Sequence, residues 1–193
     1  MDLRRIVVSE FVTLDGVMED PGGAEKSRYG GWAFQFERGP EGDRFKFDEL
    51  MASDALLLGR VTYEGFAAAW PSRTGDDFSD KMNSMRKVVV STTLERADWN
   101  NSHLIKGNVI EELSKLKAWA GGDILVAGSG QLVQTLMQHD LVDEYRLMVY
   151  PVVLGGGKRL FRDGGERRAL RLVEAKPVGP AGVLTLVYRP DKK

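Results

Sequence analysis

The chain has 193 residues and no cysteine, with 42% apolar and 28% charged residues and a formal net charge of −1. That length predicts a single domain, 1–193, able to bury a core without disulfides, and the lack of cysteine excludes thiolate catalysis and Cys-ligated zinc. The near-zero charge gives no electrostatic case for nucleic acid, and no run approaches the roughly 20 apolar residues of a membrane span.

The N-terminal apolar run is too short and too soon polar for a signal peptide, so a cytoplasmic location is the expectation. Ile6-Val7-Val8 and Phe11-Val12 read as a buried first strand. Residues 15–42 follow as a long irregular segment punctuated by Pro21-Gly22-Gly23, Gly30-Gly31 and Gly39-Pro40. Loops of that length are usually functional, and Trp32, Phe34 and Phe36 make this one a lid or one wall of a pocket. Residues 43–53 carry a helical spacing of Phe45, Phe47, Leu50 and Met51, and residues 55–58 form the next strand. A second helix runs from near Thr62 to before Pro71, and residues 71–84 read as a polar loop.

Residues 87–91 form a third strand, and Asn108-Val109-Ile110-Glu111 a capping box ahead of Leu113 and Leu116. Residues 124–127 are a strand, and residues 131–139 a helix with Leu132, Val133, Leu136 and Met137 on its core face. Residues 144–153 read as a strand interrupted by Pro151. Residues 170–175 and 183–188 then make a hairpin across Gly179-Pro180-Ala181-Gly182. Strands alternating with helices, then a terminal hairpin, predict an α/β fold with a mostly parallel sheet and an antiparallel C-terminal edge.

Two strand-to-helix turns carry the strongest chemical signal. Gly59-Arg60-Val61-Thr62 offers a cation and a hydroxyl at a helix start, and Gly128-Ser129-Gly130 lets backbone approach a ligand closely. Each has a plain reading: Arg60 paired with Glu64, and a tight turn with no ligand. Ser91-Thr92-Thr93 ends the third strand, either as a ribose or phosphate contact or as a hydroxyl-capped turn. Gly155-Gly156-Gly157-Lys158-Arg159 lacks P-loop spacing but could bring backbone and two cations to a substrate phosphate. Asp15 and Asp43 are the candidate acids, with turn and N-cap roles as alternatives. No cluster has metal-ligand spacing.

In this order, Thr13-Leu14-Asp15-Gly16-Val17, residues 57–64, residues 87–91, residues 126–132 and residues 143–157 resemble the dihydrofolate reductase-like superfamily. They are most similar to the reductase domain of the riboflavin-biosynthesis deaminase-reductase and its stand-alone bacterial relatives. The resemblance implies NADPH as cofactor, bound by Gly59, Arg60, Thr62, Ser91, Thr92, Gly128, Ser129, Gly130, Gln131 and Leu132. It also places Leu14, Asp15, Gly16 and Val17 beside the nicotinamide. The Trp-Pro pair of true dihydrofolate reductases is replaced by Asp15-Gly16-Val17-Met18, which points away from folate.

The implied activity is hydride transfer to a small heterocycle or ribose phosphate resembling 5-amino-6-(5-phosphoribosylamino)uracil. Folate reduction and nucleotide binding without turnover are the alternatives. The relatives imply a homodimer acting on a small-molecule substrate.

Overall fold

The computed structural model describes residues 4–191. Its eight strands make a mixed sheet, and the chain divides into two compact units. Among the described residues, the first comprises residues 4–7 and Phe47–Val142, and the second Val8–Lys46 and residues 143–191.

The strands are β1 (Ile6–Thr13), β2 (Ser53–Gly59), β3 (Arg86–Val90), β4 (Ser102–Ile105), β5 (Asp123–Ala127), β6 (Glu144–Tyr150), β7 (Leu170–Val178) and β8 (Val183–Pro190). The helices are α1 (Gly39–Met51), α2 (Arg60–Ala69), α3 (Asp77–Ser84), α4 (Val109–Ala118) and α5 (Gly130–Gln138).

In the first unit the order is β4-β3-β2-β5, all parallel. Aliphatic runs such as Leu56-Leu57-Leu58 and Val88-Val89 are buried on both faces, as parallel strands require. Leu56 sits opposite Lys87 on one side and Leu125 on the other. The core gathers Val7, Leu50, Leu56, Leu58, Tyr63, Met82, Met85, Val89, Trp99 and Leu125.

Lys87 is fully buried in this unit. Its ammonium donates to the carbonyls of Asn83 (2.5 Å) and Asn100 (3.0 Å) and lies 4.2 Å from the Trp99 ring centroid. Burial pushes its pKa down from 10.5 to about 8.

In the second unit the order is β1-β6-β8-β7, with antiparallel pairing of β6 to β8 and β8 to β7. Its core is aromatic. The Tyr150 ring meets the edges of Phe11 (5.5 Å), Trp32 (5.4 Å) and Phe36 (6.2 Å). Met148, Val178 and Val183 complete the cluster.

Several sequence expectations need correction. The helix expected from residue 43 begins at Gly39, so Asp43 lies inside α1 and does not cap it. Proline is tolerated in a first turn, and Gly39 (φ +62°) turns the chain against Gly179 (φ +63°). Residues 71–84 are not all loop: Asp76 accepts a bond from the Ser79 N–H (3.0 Å) and caps α3. Edge strand β4 had no expectation behind it. The capping box at Asn108 does not form, because Asn108 is left-handed (φ 51°) and its side chain makes no cap bond. Strand β6 ends at Tyr150, before Pro151.

The irregular segment after β1 is tied into the second unit. Asp20, itself buried, accepts the N–H groups of Glu25 (3.0 Å) and Ser27 (2.9 Å), and Trp32 donates its indole N–H to the Glu19 carbonyl (2.9 Å). Trp32 is therefore core, while Phe34 stands 75% exposed.

Candidate functional site

Three turns leave the C-terminal ends of adjacent parallel strands in the first unit. Gly59, at the end of β2, is in register with Val90, one residue before Ser91. Leu57 is in register with Val126 of β5, whose strand runs on into Gly128.

The β2 and β5 turns are bonded to each other. The Gly59 N–H donates to Ser129 Oγ (2.8 Å), which donates in turn to the Ala127 carbonyl (3.0 Å). The Ser129 N–H donates to Thr62 Oγ1 (3.0 Å). Ser129 is held left-handed (φ 60°), and a Cβ on Gly128 would come within 2.7 Å of Thr62 Oγ1. Glycine is thus required at 128 by the close approach of Thr62 as well as by its own positive φ of 56°.

This geometry divides the residues that the resemblance assigned to a cofactor. Ser129 Oγ is bonded both as acceptor and as donor, Thr62 Oγ1 accepts one bond from the neighbouring turn, and the Gly59 N–H is taken by Ser129. Ser91 is likewise turned inward, accepting from the N–H groups of Thr93 (3.2 Å) and Leu94 (2.9 Å). Leu132 is buried, so only its backbone can serve a ligand.

The rest can face one. Arg60 is half-exposed, with its guanidinium 2.9 Å from Glu64, a surface pair that costs little to open. Thr92 and Gln131 are exposed. Helix geometry leaves the first-turn N–H groups of α5, at Gly130, Gln131 and Leu132, without intrahelical acceptors, and the positive end of the helix dipole favours an anion there. A dinucleotide phosphate fits this set: N–H donors at a helix start, a cation paired at the surface with Glu64, and an exposed hydroxyl.

The turn after β1 belongs to the second unit. Asp15 accepts from Thr13 Oγ1 (2.5 Å) and from the backbone N–H groups of Gly155 (2.9 Å) and Leu154 (3.3 Å). The Thr13 hydrogen bond, reinforced by the two backbone donors, holds the Asp15 carboxyl below the usual carboxylate range. An ionised carboxylate engaged in this way anchors the glycine segment and has no proton to give near neutral pH.

Residues 152–160 run along residues 14–18: Leu14 N–H reaches the Val152 carbonyl (2.9 Å), Met18 N–H that of Lys158 (2.8 Å), and Leu160 N–H that of Gly16 (3.1 Å). A Cβ on Gly157 would lie 2.8 Å from Val17 Cγ1, which explains the third glycine of the run. Val17 is fully buried, while Leu14 is 63% exposed. Asp43 pairs with Arg38 (2.7 Å) and is 67% exposed on its side chain. Its partner is thus different from those of Asp15, which are Thr13, Leu154 and Gly155.

The clasp and the Asp15 anchor were invisible in the sequence because each joins residues far apart along the chain. A Ser between two glycines and an Asp-Gly pair ending a strand were the only local signals. Among the described residues no group of His, Asp and Glu could hold a metal ion, and no helix is long and apolar enough to cross a membrane.

The strand order and the strand-end turns define a dihydrofolate reductase-like α/β protein. Dihydrofolate reductase from Enterococcus faecalis, complexed with NADP(H), superposes with a TM-score of 0.59 at 13% identity, covering 97% of each chain. A protein from Shewanella sp. PV-4 assigned by name to riboflavin biosynthesis does so at 0.75 and 20% identity, covering 97% of this chain and 99% of its own. The diaminohydroxyphosphoribosylaminopyrimidine deaminase/5-amino-6-(5-phosphoribosylamino)uracil reductase of Thermotoga maritima gives 0.61 at 15% identity, over 97% of this chain and 57% of the longer one. At these identities the likeness is one of fold.

The sequence itself narrows the class. Residues 4–184 match the RibD C-terminal domain, and the chain belongs to that family. It is also 33% identical over 189 residues to the uncharacterized protein YyaP of Bacillus subtilis (strain 168), covering 96% of this chain and 94% of the relative.

Proposed function

We propose that the protein is an NADPH-dependent reductase acting on a small heterocycle or ribose phosphate of the 5-amino-6-(5-phosphoribosylamino)uracil type. The observation that carries this reading is the clasped pair of strand-end turns in a chain of the RibD C-terminal domain family. The names of the Thermotoga and Enterococcus proteins, a uracil reductase and an NADP(H)-bound reductase, support it.

Bound there, a reduced nicotinamide dinucleotide supplies a hydride. The N–H groups of Gly130, Gln131 and Leu132 hold the pyrophosphate, and Gly128, by admitting Thr62, shapes the turn that presents them. Arg60 exchanges Glu64 for the 2′-phosphate, whose planar bidentate recognition suits a guanidinium. Thr92 adds a hydroxyl, while Thr62, Ser129, Gly59 and Ser91 keep the turns in place.

Leu14, Gly16 and Val17 serve the reaction centre, with Asp15 fixing the turn through Leu154 and Gly155. Asp43 is paired with Arg38 on the surface, and water delivers the proton. The same reading makes the protein a cytoplasmic homodimer.

The test is to mix enzyme, NADPH and candidate acceptors and follow the loss of reduced-nicotinamide absorbance. Turnover with an amino-uracil ribose phosphate supports the proposal. Turnover with dihydrofolate instead would replace its substrate, and NADPH binding without any turnover would make the protein a nucleotide binder.

A further inference from the structure

The backbone of residues 154–157 in the second unit already selects an oxyanion. The successive N–H groups of Leu154 and Gly155 converge on the Asp15 carboxylate at 3.3 and 2.9 Å. Successive amides turned to one side by a left-handed residue, here Gly155 (φ 74°), are the arrangement that builds an anion-binding concavity.

The same ribbon continues into a cavity. Gly156 and Gly157 line a space of about 240 Å³ together with Val17, Glu19, Ser27, Arg28, Tyr29 and Leu154. That is several times the ~30 Å³ share of one water, ample for a phosphate group. Among the described residues, neither the Gly156 nor the Gly157 N–H has an acceptor within the protein. Arg28, on the wall, makes no ion pair among those residues and rests 4.9 Å from the Tyr29 ring centroid. The carboxylate on the wall, Glu19, is met by Lys158 at 2.9 Å, and Lys158 also reaches Glu25 at 3.5 Å.

We infer that this cavity is an oxyanion site, in which the Gly156 and Gly157 N–H groups and the Arg28 guanidinium take a phosphate of a small ligand, next to the two amides that hold Asp15. Asp15 fills half of the donor row from inside the chain, and the ligand fills the other half. The apolar wall of Val17, Leu154 and Tyr29 leaves room for the ligand's carbon skeleton. The site is argued from the second unit alone and holds whether or not the first unit takes a dinucleotide.

The experiment follows the Gly156 and Gly157 amide resonances by NMR during titration with inorganic phosphate at constant ionic strength, with chloride as control and no cofactor present. A second arm uses glycerol 3-phosphate. Wild type, Arg28→Ala and Arg28→Lys are compared; Arg28 is exposed, so none of the variants disturbs the core.

The site predicts saturating shifts at both glycines, weakened roughly tenfold or more by Arg28→Ala and partly restored by Arg28→Lys. Tighter binding of glycerol 3-phosphate than of phosphate identifies a phosphate-ester subsite, and equal binding a free-anion site. Shifts no larger than those with chloride, or an unchanged affinity in Arg28→Ala, would overturn the inference. Failure here leaves the NADPH reading intact, and failure of NADPH to bind leaves this one intact.

Discussion

Thr62 shows how a residue in a candidate site can act without touching a ligand. Its Oγ1 is the acceptor for the Ser129 N–H, and Thr62→Val keeps its shape while leaving that part-buried donor unpaired. The expected loss is about 1–3 kcal/mol of unfolding free energy, read from denaturant midpoints with an unchanged slope. Thr62→Ser, which keeps the acceptor, should recover most of it.

Lys87 gives a second prediction. Below about pH 8 it is protonated both in the fold and in the unfolded chain, so it adds no pH dependence. Between about 8 and 10.5 the unfolded chain still holds the proton that the fold has released, so stability rises with pH across that window. Lys87→Met should remove this rise; an identical wild-type and mutant pH profile would show that the lysine is not desolvated.

Asp15 has the same sign in the acid range. Its folded pKa is depressed, so its contribution is full above the unfolded carboxylate value and is lost as pH falls through the folded one. Asp15→Asn should speed hydrogen exchange at the Gly155 amide and flatten its acid dependence.

Among the elements, those with strong periodicity were legible and those without it were not. The aliphatic runs of β2, β3 and β5 announce buried parallel strands, and the alternation of β8 across Gly179-Pro180-Ala181-Gly182 announces a hairpin. Helix α3 was hidden because its sequence, DFSDKMNS, is mostly polar and only Ser79 and Met82 are buried. Its cap, Asp76 with Ser79 three residues on, was the signal available. Helix α1 was shortened in the sequence reading because Gly39-Pro40 looks like a turn. Its true start depends on Gly39 meeting Gly179, a contact between residues 140 positions apart that no local pattern records. Gly39→Ala puts a Cβ 2.9 Å from the Gly179 Cα at a positive φ, and should cost about 1–3 kcal/mol, measurable as a lowered Tm. An unchanged Tm would mean that the α1 start is free to shift.

At the scale of the whole molecule, the ordered set of short motifs marked the family although no motif did so alone, and residues 4–184 belong to it. The candidate site was only half legible. Sequence found the turns, because glycine, arginine and hydroxyl residues at strand ends are local features. It could not say which hydroxyls face outward, since Ser129 Oγ bonds the Gly59 N–H and the Ala127 carbonyl, Thr62 Oγ1 accepts the Ser129 N–H, and Ser91 Oγ accepts within its own turn. Arg60, at the start of α2, is the exposed cation of the candidate site.

The most direct measurement is a calorimetric titration of wild type and Arg60→Ala with NADPH and with NADH. The account predicts tight NADPH binding, weaker NADH binding, and a loss confined to NADPH in the mutant. A charged hydrogen bond to phosphate is worth about 1.5–3 kcal/mol, or roughly ten- to a hundredfold in affinity. No heat with either nucleotide from folded protein, or equal binding of both in wild type and mutant, would contradict it.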